Sequence, residues 1–381
     1  MKKAFVVVLA VFITLTFTAS VFAGGKGETA MEAKYQIGIV FDIAGRGDQS
    51  FNDSAYNGLV LLAEEFKGYI KDDPDKVDFG KEVEMKYLTP KPGGQDREIL
   101  LRSMAEDGYD LVIGVGFMFS DSLGRVAADF PDVHFGLIDG FIPDLTADSN
   151  VTVLSFAEHE GSFLMGVVAA LMRDGGKVGF IGGMDIPLIH KFQGGFMAGA
   201  MYADPALRDK GMILAQYCGK EATAFNDPKT AESIATNFFN QGANIIYHAA
   251  GGSGDGLFKA AKDLDKLAIG VDSDQGLIYA SQESAEAKAI AEHIVTSMLK
   301  RVDISVFMTG KELIENGEVK GGYHAFGLVD EGVGVAENQY NKAKLAPIKA
   351  KVDEIKAKII AGEITVPDDD SKVDAWAAKT F

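Results

Sequence analysis

QIGIVFDIAGRGDQSFND (36–53) opens on an apolar, β-branched run and closes on residues suited to the start of a helix, with two glycines between them. Strand, tight turn and helix in that order form the first half of a βαβ unit. The pattern repeats outward from there. EVEMKYLT (82–89), DLVIGVG (110–116), VHFGLID (133–139) and VTVLSF (151–156) read as further strands. KVGFIGG (177–183), GMILAQYC (211–218), NIIYHAA (244–250), AIGVDSD (268–274) and the late YHAFGLV (323–329) follow. Short apolar runs alternating with helical patterns mark parallel sheets covered on both faces, so the fold class is α/β.

The helices are legible from their spacing. Phe163, Leu164, Val167, Val168 and Leu171 share a helical face, and Gly175 stands where such a helix would stop. Within 284–302, Ile290, Ile294, Met298 and Val302 fall on one stripe, which predicts a single helix there with Lys300 on it. Val352, Ile355, Ile359 and Ile360 predict a helix ending near Gly362, after which VPDDD (366–370) reads as a solvated extension. No repeat or low-complexity linker separates the two groups of strands, so two lobes are expected to share crossing segments. The expected division is 34–153 with 277–321 in an N-terminal lobe, and 154–276 with 322–381 in a C-terminal one.

Lys2 and Lys3 precede an apolar run from Ala4 to Phe22, and Ala23 and Gly24 follow it. That order predicts a secretory signal peptide over residues 1–23, cut after Ala23, and hence a soluble periplasmic or secreted chain. No cysteine near the cut could carry lipid. Cys218 is the only cysteine, which excludes an internal disulfide and any cysteine-based zinc cluster. With 47% hydrophobic residues the chain can build two cores, and its net charge of −18 repels polyanions, so nucleic acid is excluded as a partner.

In doubly wound sheets ligands sit beyond the carboxyl ends of the strands, and the loops there hold the candidate residues. After the first strand, Asp42 can accept hydrogen bonds from hydroxyls or amino groups, Phe51 offers a flat apolar face, and Asn52 is both donor and acceptor. Ser50 or Asn52 would equally serve to cap the next helix. GFMFSD (116–121) puts Phe117, Phe119 and Asp121 at another strand end, where Phe119 also suits the core. Asp139-Gly140 is what an ordinary turn would use. In the second half, His190 lies in GGMDIPLIHKFQGGFMAG (182–199) without a His or Cys partner at metal spacing, and is read as a surface or helix-start residue. Phe225-Asn226-Asp227 sets a ring beside polar groups. AAGGSGDG (249–256) does not fit G-x-G-x-x-G and suits a backbone-amide cradle instead. Asp272 and Asp274 end a strand where a carboxylate could hold a vicinal diol. Neither a dinucleotide fingerprint nor a phosphate loop is found, and no cofactor or metal is expected.

The stretches D-x5-D-x-SFN (42–52), GVGFMFSD (114–121), FAEHEGSFLMGVVAALM (156–172), KVGFIGG, AAGGSGDG, GVDSDQ (270–275), TSMLKRVD (296–303) and FGLVDEGVG (326–334) together resemble the basic membrane protein family of nucleoside receptors. The resemblance spans nearly all of the chain beyond the leader. It implies a type I periplasmic-binding fold, with two Rossmann-like lobes joined by a three-strand hinge. It implies capture of a purine nucleoside such as adenosine, guanosine or inosine, and its delivery to an ABC transporter permease. By the same resemblance the purine would stack between Phe51 and Phe225, with Phe192 as the alternative ring. Asp42, Asn52 and Asp121 would read the base, and Gly251, Asp272 and Lys300 would surround the ribose. Two departures stand out: the lipid-bearing cysteine of many members is missing, and this chain is acidic. A receptor for a sugar or autoinducer is the alternative on the same fold, and a nucleoside-processing enzyme would need a nucleophile and base that these loops do not offer.

Overall fold

The computed structural model describes residues 33–381, and the expected signal peptide at 1–23 lies outside the described residues. In chain order the elements are β1 (Tyr35–Val40), α1 (Phe51–Glu65), β2 (Tyr69–Ile70), β3 (Val83–Leu88), α2 (Arg97–Glu106), β4 (Leu111–Val115), α3 (Ser120–Asp129), β5 (His134–Ile138) and β6 (Val151–Phe156). There follow α4 (Glu158–Met172), β7 (Lys177–Met184), α5 (Pro187–Ala203), β8 (Ile213–Gly219), α6 (Pro228–Asn240), β9 (Ala243–Ala249), α7 (Gly254–Asp263), β10 (Leu267–Asp272), α8 (Gln275–Ser281) and α9 (Ala285–Ala291). The chain ends with β11 (Ile294–Lys300), α10 (Val302–Asn316), β12 (Gly322–Phe326), β13 (Val333–Val335), α11 (Lys342–Ile360) and α12 (Val373–Thr380).

Two sheets form, ordered β12-β6-β5-β4-β1-β3-β2 and β13-β11-β10-β9-β7-β8. Every pairing is parallel except that of β13 with β11. Alternate side chains explain why the strands are apolar throughout. Ile37 and Ile39 bury against α1 and α10, while Val40 and Val112 bury against α2 and α3. Register aligns the strand ends: Val40 pairs with Gly114, Val115 with Ile138, and in the second sheet Gly182 pairs with Ala249 and Asp272 with Leu299. Each lobe therefore gathers its post-strand loops along one edge.

Three expectations need correction. The stretch 284–302 is not one helix: Ser284 caps the short α9, and β11 begins at Ile294. The stripe Ile290, Ile294, Met298 and Val302 skipped Val295 and Leu299, which are also apolar, and a run buried on both faces carries no usable helical period. Lys300 thus ends a strand. As a result the lobe division shifts, because α8, α9 and β11 serve the second sheet while β12 pairs with β6 in the first. The chain crosses between lobes after Phe156, Lys300 and Phe326, giving the three-stranded hinge. Finally, the acidic tail is no solvated extension. Val366 and Val373 are buried, and Trp376 meets Phe163 edge-on at 5.9 Å.

The second lobe is held by an unusually close pair of helices, α4 and α5. A β-carbon built on Gly199 would lie 1.9 Å from the Phe163 carbonyl oxygen, and one on Gly195 would lie 2.2 Å from that of His159. Backbone contact of this kind tolerates no side chain. Gly199→Ala is expected to cost about 1–3 kcal/mol or more by overpacking, read as a lower urea midpoint at unchanged slope. An unchanged midpoint would mean that the helices can part without loss.

Candidate ligand-binding site

The aligned loops of both lobes enclose a single cleft. From the first lobe come Asp42, Ile43, Ala44, Asp48, Phe51 and Asn52 of the β1–α1 connection, Gly116 and Phe117 after β4, and Asp139 after β5. The second lobe adds Leu188, Ile189 and Phe192 of α5, Phe225 ahead of α6, Ala249 and Gly251 at the end of β9, Val271 and Asp272 of β10, and Lys300 of β11. Of the nine residues expected at a site, eight meet here. Asp121 does not. The turn at Gly116 (φ +113) leads into a short 3-10 segment that drives Phe119 into the core and leaves Asp121 exposed on α3. From that loop it is Phe117 that faces the cleft.

The β1–α1 loop is wired by carboxylates. Asp48, not Ser50 or Asn52, caps α1: its oxygens accept from the backbone N–H groups of Ser50, Asn52 and Asp53 at 3.0, 2.9 and 3.1 Å. The Asn52 amide donates to Asp48 at 2.9 Å, and its oxygen accepts from the Asp42 N–H at 3.0 Å. One amide hydrogen of Asn52 remains for a ligand. Asp42 Oδ1 accepts from Arg97 at 3.0 Å and from the Ile43 N–H at 2.8 Å, which orients the carboxylate. Asp48 went unnoticed as a site residue, although an aspartate two positions before Ser50 is itself a capping signal.

In the second lobe, glycine makes room for an aromatic ring. A β-carbon on Gly183 would lie 2.4 Å from the Phe225 ring, so the ring rests directly on β7. Gly251 adopts φ +54, a left-handed turn that brings its backbone to the cleft. Asp274 is diverted to structure. Its carboxylate accepts from the Leu277 N–H at 3.0 Å to cap α8 and from the Asn338 amide at 2.8 Å. Asp227 likewise caps α6.

Asp139 and Asp272 end β5 and β10 in the same way, each with φ +62. An aspartate held left-handed costs about 1–2 kcal/mol, and here it turns both carboxylates into the cleft from opposite lobes. Between them lies Lys300, whose ammonium bonds Asp139 and stands 3.2 Å from Glu158 Oε1, the latter an ion pair without hydrogen-bond alignment. Its Nζ is 5.1 Å from the centroid of the Phe51 ring and 5.6 Å from that of Phe192. The lobes also touch directly, as the Ser50 hydroxyl donates to Asp272 Oδ2 at 2.5 Å and Ser273 donates to the Ser50 carbonyl at 3.1 Å. These bonds join the two lobes beside the cleft.

Burial dominates the titration of these groups. It pushes Asp48 up to about 6, against the pull of its backbone bonds, and pushes Asp272 up to about 6, against Lys300 and Ser50. Asp139 is raised by burial, with Lys300 opposing. For Lys300, burial would lower the pKa, but Asp139, Glu158 and Asp272 outweigh it and keep the ammonium charged.

A cleft between two strand-end faces, gripped from both sides and served by three crossings, defines a solute-binding protein of the type I periplasmic-binding fold. The chain belongs to the PnrA-like family of ABC transporter substrate-binding proteins, whose family model matches residues 35–370. The resemblance read from the motifs is thereby borne out. The chain is 30% identical over 390 residues to the "ABC transporter nucleoside-binding protein BmpA" of Lactococcus lactis, covering 96% of this chain and 99% of that protein. It is 35% identical over 332 residues to an uncharacterised lipoprotein of Pyrococcus furiosus, covering 84% and 76% respectively. A solved solute-binding protein of an Aeropyrum pernix K1 ABC transporter system superposes with a TM-score of 0.71 at 28% identity, over 90% of this chain and 96% of that one. Among the described residues no helix is long and apolar enough to cross a membrane.

Because the folded pKa of Asp272 stands above its ordinary 3.8, its contribution to the stability of the ligand-free protein is fully present below about pH 3.8 and is lost as pH rises through about 6. Asp272→Asn cannot titrate. Urea unfolding across that window is expected to show the variant gaining on the wild type as pH rises, by roughly 3 kcal/mol at most. Parallel curves would refute the buried-carboxylate assignment.

Proposed function

We propose that the chain captures a purine nucleoside in this cleft and delivers it to an ABC transporter permease. The observation that carries the reading is that Phe51 of one lobe and Phe225 of the other line the same cleft as Asp42 and Asp272. Rings from opposite lobes suit a flat heterocycle, which leaves water for two apolar faces at once. Phe192, which also lines the cleft, is more deeply buried than Phe51 and Phe225 and so offers less open face for stacking. The edge of the base would meet Asp42 and the remaining amide hydrogen of Asn52. Ribose hydroxyls would donate to Asp272 and Asp139, with Gly251 offering its backbone, while Lys300 opposes the upward push of burial on both carboxyls. The name of the Lactococcus lactis relative, a nucleoside-binding protein, supports the same choice.

Charge sets the limit on the ligand. Among the described residues the one ammonium lining the cleft is already matched by Asp139 and Glu158, so a phosphate would bring a further anion among buried carboxylates. Capture works by closure: the solute binds one lobe, the hinge shuts, and both faces then contact it.

Calorimetry on the exported chain is expected to give one nucleoside per protein, with AMP bound far more weakly than adenosine. Phe51→Ala and Phe225→Ala should each weaken nucleoside binding by about 10–100-fold, the worth of one stacked face. Equal affinity for AMP would overturn the electrostatic part. A sugar recovered by mass spectrometry from the purified protein, with no response to nucleosides, would overturn the whole reading.

Affinity should also fall with acid. A diol held by ionised Asp272 loses its acceptor as pH drops below about 6, so binding is strongest above that value and weakens by up to about tenfold per unit beneath it. A flat profile down to pH 5 would remove Asp272 from the ligand.

A further inference from the structure

His190 has no His or Cys at metal spacing in sequence, yet the fold adds the remote Asp369 and Asp370 to the nearby Asp185 around it. It sits in the first turn of α5, between the cleft residues Ile189 and Phe192 but on the other side of the helix, where the acidic tail packs down. Its Nε2 is 2.8 Å from Asp185 Oδ1, and its Nδ1 is 3.2 Å from Asp370 Oδ1. One donor atom from each of His190, Asp369 and Asp370 lies within 4.8 Å of the others.

A neutral imidazole has one N–H to give. If Asp185 takes it, the Nδ1 lone pair stands 3.2 Å from a carboxylate oxygen of Asp370, off the line between the two atoms, an arrangement that is repulsive unless a cation intervenes. A histidine that donates one nitrogen to a carboxylate and turns the other toward anionic oxygens has the outer-shell geometry of a metal ligand. The 3.2 Å spacing agrees with the separation of about 3.3 Å between two ligands on a tetrahedral ion with bonds of about 2.0–2.1 Å. The carboxylates are held in turn. Asp370 Oδ2 accepts from the Gln193 amide at 3.0 Å, and Asp369 Oδ1 accepts from the Ser371 N–H at 2.9 Å. With side-chain exposures of 27% for His190 and 29% for Asp370, an ion can reach the site from solvent.

We propose that His190, Asp369 and Asp370 bind a divalent cation of the zinc type, with Asp185 orienting the imidazole and water completing the shell. One imidazole with carboxylates suits zinc better than calcium or magnesium, which take oxygen donors throughout. Such an ion ties the C-terminal tail to the helix whose first turn forms a wall of the cleft. The site stands whatever the cleft binds.

The competing occupant is a proton, which would make His190 an imidazolium between Asp185 and Asp370, and the test separates the two. Tag-free protein stripped with a chelator is titrated with zinc chloride near neutral pH by calorimetry and thermal melting. One equivalent of zinc should bind and raise the melting temperature, with calcium failing to compete. His190→Ala and Asp370→Asn should abolish the response while circular dichroism stays native, and Asp185→Asn should weaken it roughly 10–100-fold. Cobalt added to the wild type gives a check that needs no variant, since a tetrahedral site yields a strong visible band. Wild type that binds neither zinc nor cobalt, or a His190→Ala variant that binds zinc as well as wild type, overturns the proposal in favour of the proton.

Discussion

An ammonium buried at the junction of two lobes constrains much of this structure. Lys300 is 2% exposed, and a charge so placed is tolerable only if it is neutralised in place. Its partners come from both sides of the hinge: Asp139 from the end of β5, Glu158 from the start of α4, and the field of Asp272 from β10. Glu158 and Lys300 themselves flank two of the three crossings. Removing Lys300 would leave Asp139 buried without its cation, while Glu158 would keep Lys191 and Asp272 the Ser50 hydroxyl, so the lysine and Asp139 depend on each other most. Asp139 and Lys300 belong to different lobes, so their ion pair ties the two together across the cleft.

That pairing exists because parallel sheets align their strand ends. Once β1, β4 and β5 are in register, Asp42, Gly116 and Asp139 must emerge on one edge, and the same holds for Gly251, Asp272 and Lys300 in the other lobe. Specificity then falls to short loops on a rigid frame. The left-handed backbone at Asp139 and Asp272 is a local cost borne by well-packed strands, and its result is two acceptors facing each other across the cleft.

Much of the frame was legible in the sequence, because strands buried on both faces announce themselves as apolar runs and because glycine and aspartate mark their ends. The site was nearly as legible, since strand-end loops are where such folds bind. What escaped did so for identifiable reasons. The run around Ile294 is apolar at every spacing, so a helical stripe could be found in it by selection, and Lys300 was put on a helix. Asp121 looked equivalent to Phe117 until a single 3-10 turn rotated one outward and the other in. Asp48 stands among Ser50 and Asn52, which carry the same capping signal, so the sequence alone does not single it out. The fate of the tail rested on contacts with α5 that no local pattern encodes, and so did the surroundings of His190.

The three crossings carry a consequence beyond ligand capture. Neither lobe is a continuous piece of chain: β12 completes the first sheet only after most of the second has been made, and β13 completes the second later still. During synthesis, therefore, neither half can finish assembling until β12 and β13 have been made. A genetic exchange that swapped one half between relatives would need several joints made at once. Inheritance of this architecture is all or nothing, and new specificities must arise by substitution within loops instead of by shuffling halves.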